Sequence, residues 1–127
     1  MKREDSSASY TNSAAHVIEN LRADFNTFTG VEVNGTGNIV RGNQVVNTGG
    51  STVSTNSYAI TARGPGARVL NNDVIGTVAA NSYGIYVDTD ADVTVSDNRL
   101  SRLGNGIFFT GASGSYMNNL VRAATTP

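Results

Sequence analysis

The chain is 127 residues long, the size of one small domain, with nine basic and ten acidic residues and a formal charge of −1. That balance leaves no electrostatic footprint for nucleic acid or an anionic membrane surface; the absence of Cys excludes disulfides and Cys-ligated metal sites, and a single His, His16, removes most His-based chemistry. Only 15% of residues are charged, 14 Val stand against five Leu, and no stretch approaches the roughly 18 apolar residues of a membrane span, so a β-rich fold is expected rather than a helical bundle.

Residues 1–12 open on Met1-Lys2-Arg3-Glu4-Asp5, followed by Ser6-Ser7-Ala8-Ser9. No apolar core stands behind the basic start, so it lacks the pattern of a secretory signal, and we expect the segment to be without order. This start and the uncapped tail 123–127 fit either a cytosolic chain or a piece of a longer one.

Residues 13–27 admit two readings. Ala15-His16-Val17-Ile18-Glu19-Asn20 matches Ala67–Asn72 column for column, which makes it a partial rung of the repeat described next, with Asn20 in line with Asn72. The match ends there, because Arg22 falls where the repeat carries an apolar residue. Alternatively, Val17, Ile18, Leu21, Phe25 and Phe28 lie near helical spacing behind Ser13 as N-cap, forming a short capping helix.

From residue 30 the chain repeats. Gly30–Val46, Ala59–Ile75 and Gly106–Arg122 align without a gap, and Gly84–Ser101 joins them with one inserted residue near Asp90. Four apolar columns result: Val31, Ile60, Ile85, Ile107; Val33, Ala62, Val87, Phe109; Val40, Val69, Val95, Tyr116; and Val45, Val74, Leu100, Val121. Two residues before the last column stand Asn43, Asn72, Asn98 and Asn119. Just before the first stand Gly30, Ala59, Gly84 and Gly106, small residues where backbone packs closely. A two-residue spacing between the first two columns places them on one face of a strand. The Asn column marks a tight bend, where Asn tolerates left-handed backbone, and stacked Asn side chains can form a ladder between rungs. Gly35-Thr36-Gly37 and Gly64-Pro65-Gly66 fall on one turn; they lack the Lys and helix context of a phosphate loop. The period runs 29, 25 and 22 residues, with the excess in Thr48–Asn56 and Thr77–Asn81. Such a repeat describes a solenoid of parallel strands.

Gly84-Ile85-Tyr86-Val87 followed by Val95-Ser96-Asp97-Asn98-Arg99-Leu100 resembles a coil of the right-handed parallel β-helix proteins, a superfamily that includes pectate lyases, other polysaccharide lyases and hydrolases, and phage tail spikes. The resemblance covers roughly residues 28–122 and implies an all-β, right-handed parallel β-helix of about four to five rungs over 13–122. Open solenoid ends imply self-association as a trimer or end-to-end dimer, or a neighbouring domain, and a phage virion or extracellular setting if the chain is part of a longer one.

Chemistry has few places to sit. Asp88, Asp90 and Asp92, with Asp97 in the same rung, form the densest acidic cluster; in similar polysaccharide lyases such a cluster holds calcium, and oxygen ligands suit that ion. The plainer reading is a solvated turn. Glycoside hydrolysis needs two carboxylates roughly 5–9.5 Å apart, which Asp88 with Asp90, or Asp73 with Asp97, could supply. A lyase needs a base beside a charge-neutralising group, for which Arg63 and Asp88 are the candidates, although both Arg63–Asp88 and Asp73–Arg99 share columns as ordinary ion pairs would. Tyr86 and Phe108 follow the first column and point outward on adjacent rungs, where aromatic faces suit a polysaccharide, a protein partner, or simple sheet stabilisation. Tyr58 and Tyr83 recur within Asn-Ser-Tyr-(Ala/Gly)-Ile and read as part of the rung. The expectation is a non-catalytic structural or carbohydrate-binding module, with a calcium-dependent polysaccharide lyase or glycoside hydrolase, and a purely structural solenoid, as the alternatives.

Overall fold

A computed structural model describes residues 7–11, 14–50, 55–88, 92–111 and 113–127, and every regular element among them is a β-strand. The first coil holds β1 (Ser7–Thr11), β2 (Val17–Glu19) and β3 (Arg22–Asp24). The second holds β4 (Thr29–Asn34), β5 (Ile39–Arg41) and β6 (Gln44–Val46), and the third β7 (Ser57–Arg63), β8 (Arg68–Leu70) and β9 (Asp73–Ile75). The fourth runs through β10 (Ser82–Asp88), β11 (Val93–Ser96) and the first half of β12 (Arg99–Thr110). The second half of β12, β13 (Gly114–Met117) and β14 (Leu120–Thr126) complete the last.

All ladders are parallel, so each coil stacks on the one before it. Three faces result, each five strands deep, and the chain advances about four strand spacings of roughly 4.8 Å. Val31 pairs Ile60, Ile60 pairs Ile85 and Ile85 pairs Ile107; the other three apolar columns hold in the same way. Their first three members are buried, most of them completely. The last members differ. Ile107, Phe109 and Val121 are only partly buried, and Tyr116 is 70% exposed, because they lie on the last coil of the described residues.

Beside the core runs the ladder. The side-chain Nδ2 of Asn72 donates to Oδ1 of Asn98 at 2.9 Å and to the Val40 carbonyl at 3.0 Å. Asn43, Asn98 and Asn119 donate likewise to the carbonyls of Ile18, Val69 and Val95. The bend itself lies one residue earlier than expected: Gly42, Asn71, Asp97 and Asn118 take the left-handed backbone, with φ of 54° to 63°, which frees each ladder Asn to point inward. The small-residue column also has its cause, since a Cβ on Gly84 would stand 2.6 Å from the Gly106 carbonyl oxygen.

Residues 14–27 form part of a rung, not a helix, but shifted by one residue from the expected alignment. Ile18, not Val17, pairs Val40, so Asn20 takes the left-handed bend and Leu21 occupies the ladder position. Ala23 then pairs Val45 and is buried, while Arg22 points outward. A one-residue slip turns every side chain over, and the shift is the register that turns Ile18 and Ala23 toward the core instead of Val17 and Arg22. Two further expectations change. Ser7–Thr11, inside the stretch 1–12 expected to lack order, pairs with β4, and the tail 123–127 is largely taken up by β14.

Candidate functional site

The outer surface of the face built by β4, β7, β10 and the second half of β12 carries three columns. Tyr58, Tyr83 and Asn105 form the first; Glu32, Thr61, Tyr86 and Phe108 the second; Asn34, Arg63, Asp88 and Thr110 the third. Parallel in-register stacking brings residues 22 to 29 apart in sequence within side-chain contact.

Five rings meet there. Tyr86 and Phe108 stack with centroids 5.7 Å apart and planes at 9°. Overlaid rings would stand about 3.5–4 Å apart, so these are offset, and part of each face stays uncovered by the other. Tyr58 lies 5.2 Å from Tyr83 and 4.7 Å from Tyr86, Tyr83 meets Phe108 edge-on at 5.5 Å, and Phe28 meets Tyr58 edge-on at 5.6 Å. Phe108 is 40% exposed. Burial, reinforced by the neighbouring Tyr86 and Tyr83, raises the Tyr58 hydroxyl above its ordinary pKa of 10.0, against a hydrogen bond from Asn56 and the charge of Arg63.

The charged column is closed on itself. Arg63 Nε donates to Asp88 Oδ2 at 2.9 Å, and Nη1 to Oε1 of the nearly buried Glu32 at 2.5 Å. The other Asp88 oxygen accepts from the Thr110 hydroxyl at 2.9 Å. The Arg63–Asp88 pairing is thus met, and Glu32 joins it on the diagonal of the same columns.

The remaining candidates lie elsewhere. Asp97 is at the exposed corner after β11, on the far side of that strand from Asp88. Asp73 is held by Arg99 through two hydrogen bonds of 2.7 and 2.9 Å on another face, which also raises the Arg99 pKa. Asp92 sits in an exposed left-handed turn, and Asp90 lies outside the described residues. Among the described residues no three His, Cys, Asp or Glu side chains converge. Both Asp88 oxygens already accept hydrogen bonds, and a cation beside them would face the Arg63 guanidinium; the described residues do not fit a calcium ion. His16 is exposed, with its backbone N–H on Asn38 Oδ1. Sequence reasoning separated Tyr58 and Tyr83 from Tyr86 and Phe108, placed Glu32 in the outward column of Tyr86 and Phe108 without pairing it to Arg63, and read Phe28 only as a position of the alternative helix. The shared columns of the repeat held the signal for Tyr58, Tyr83 and Glu32.

A stack of parallel coils with an asparagine ladder defines a β-solenoid, and the family model described as right handed beta helix region matches residues 4–124. The chain belongs to the right-handed β-helix family. No curated protein matches it significantly, and no solved structure does. No helix among the described residues is long and apolar enough to cross a membrane.

Proposed function

We propose that the protein is a non-catalytic β-helix module whose β4–β7–β10–β12 face binds carbohydrate. The observation that carries this reading is the group of five rings on one outer face, ending in the offset Tyr86–Phe108 stack. Such rings give CH-rich sugar faces an apolar surface, and their partial mutual packing limits the entropy lost on binding. Beside them Asn34, Asn105 and Thr110 supply amide and hydroxyl groups for sugar hydroxyls. Support for the non-catalytic part comes from the charges: Arg63 hydrogen-bonds to both Glu32 and Asp88, and Arg99 to Asp73, so each of these groups is held in an ion pair. A phage tail-spike-like or surface-protein setting and a homo-oligomer would suit such a module.

A glycan array on the intact chain tests it, followed by titration calorimetry of each hit. Phe108→Ala and Tyr86→Ala should each weaken binding about tenfold, with far-ultraviolet circular dichroism unchanged. Binding that ignores both substitutions, or an array without hits, overturns the reading. Release of unsaturated or reducing sugar ends from a broad polymer panel would instead identify an enzyme.

A further inference from the structure

We infer that the end of the solenoid formed by β13 and β14 is an interface with a second copy of the chain, met end to end about a two-fold axis. The inference stands apart from what the aromatic face binds. The first observation is open pairing. Among the described residues β13 pairs only with β11 and β14 only with β12, so each leaves a row of backbone N–H and C=O groups open. The ladder stops at the same place. The N–H groups of Asn43, Asn72 and Asn98 each donate to the asparagine of the coil after, and Asn119 has no further coil among the described residues. A recess of about 590 Å³ opens there between Ile107, Tyr116, Leu120 and Val121.

The second observation is a change of chemistry from one end to the other. The outward column through Arg41, Leu70 and Ser96 opens on Glu19 and closes on Met117. The column through Gln44, Asp73 and Arg99 opens on Arg22 and closes on Leu120. Met117 is 52% exposed and Leu120 46%. Strands β2 and β3 carry three charged side chains in six residues, whereas β13 and β14 carry one, Arg122, in eleven. Charge on an edge strand keeps it from pairing with another chain. The first coil has that protection and the last does not.

This contrast selects the occupant. A copy added head to tail, in register, would set Glu19 over Met117 and Arg22 over Leu120, and such a contact never closes. Two last coils facing each other run antiparallel. A two-fold axis through the corner at Asn118 and Asn119 lays β13 of one copy on β14 of the other. Met117 of each then lies beside Leu120 of the other, and each open row supplies the donors and acceptors of its partner. The last coil, Gly106 to Pro127, is 22 residues long, and one side of a standard interface uses roughly 20–30.

Sedimentation velocity on the intact chain should show a dimer that grows no further with concentration and is indifferent to salt, since the contact is apolar. Tyr116→Lys combined with Leu120→Lys should raise the dimer dissociation constant about a hundredfold. The far-ultraviolet spectrum should be retained, because both side chains are exposed. Val17→Lys, at a similarly exposed position of the first coil, should leave the dimer intact. Hydrogen exchange supplies a readout without substitutions: amides of β13 and β14 should gain protection as concentration rises, and those of β2 and β3 should not. A monomer at every concentration overturns the inference. So does a trimer, an open-ended association abolished by Val17→Lys, or a dimer in which the protection of β13 and β14 ignores concentration.

Discussion

Asn72 and Asn98 bind each other through two contacts at 2.9 Å, in which the Asn98 side-chain oxygen accepts from both the backbone and the side-chain nitrogen of Asn72. The Asn72 oxygen does the same for Asn43, at 3.0 and 3.1 Å. Asn43, Asn72 and Asn98 are thus each acceptor for the coil before and donor to the coil after, while the Nδ2 of each also closes on the carbonyl of the preceding coil. Asn72→Ala leaves the Asn43 N–H buried without its acceptor and removes a donor from the Val40 carbonyl, and should cost about 3 kcal/mol in urea unfolding. Asn119→Ala, at the open end, should cost about 1 kcal/mol. Equal losses would show that the ladder is not what holds the coils in register.

Core burial predicts a second contrast. Ile85 is completely buried in the first apolar column, and Ile107 sits one coil further on, only partly covered. Ile85→Asp should abolish the folded far-ultraviolet spectrum, because its carboxylate has neither water nor a partner. Ile107→Asp should still fold, with a lower midpoint.

Two glycines of one turn should respond differently. An added Cβ at Gly64, where φ is +119°, would stand 2.1 Å from the Gly35 carbonyl oxygen; at Gly66, where φ is +71°, it would meet nothing within 4 Å. Gly64→Ala should cost about 3 kcal/mol and Gly66→Ala about 1 kcal/mol, read from paired denaturation curves.

Removing the guanidinium from the charged column exposes what it holds. Glu32 is 7% exposed at its side chain and Arg63 36%. Arg63→Met should cost about 1–2 kcal/mol, less than for a fully buried pair because Arg63 is partly in water. Adding Glu32→Gln should restore much of the loss, as a double-mutant cycle would measure.

The raised pKa of Tyr58 makes stability depend on pH at the alkaline end. The folded state favours the neutral phenol, so its contribution is complete below the unfolded value of about 10 and is lost as pH rises from there through the folded value. Absorbance titration near 295 nm should show one tyrosine ionising late, and Tyr58→Phe should remove both that step and the matching part of the stability loss.

Much of this was legible in the chain. The columns headed by Val31, Val33, Val40 and Val45 became the observed registers, as did the Asn43–Asn119 ladder, because parallel stacking repeats one chemical environment at every coil and the repeat records it. Residues 13–27 were less legible. A gapless match placed Asn20 on the ladder, yet packing chose the neighbouring register, since Leu21 can fill the ladder position at the first coil and Ala23 can be buried where Arg22 cannot. The open end escaped the columns as well: Tyr116 holds its register opposite Val95 but stands in solvent.

By itself the sequence determined the class of fold, the coil period and the identity of the inward residues, all of which follow from local alternation and recurrence. Only the tertiary structure decided the site. Phe28, Tyr58, Tyr83, Tyr86 and Phe108 become one surface, and Glu32, Arg63 and Asp88 one closed column, through contacts between coils that run diagonally across columns as well as along them. An alignment of rungs shows which residues share a column. Ring tilt and side-chain reach decide which of them touch.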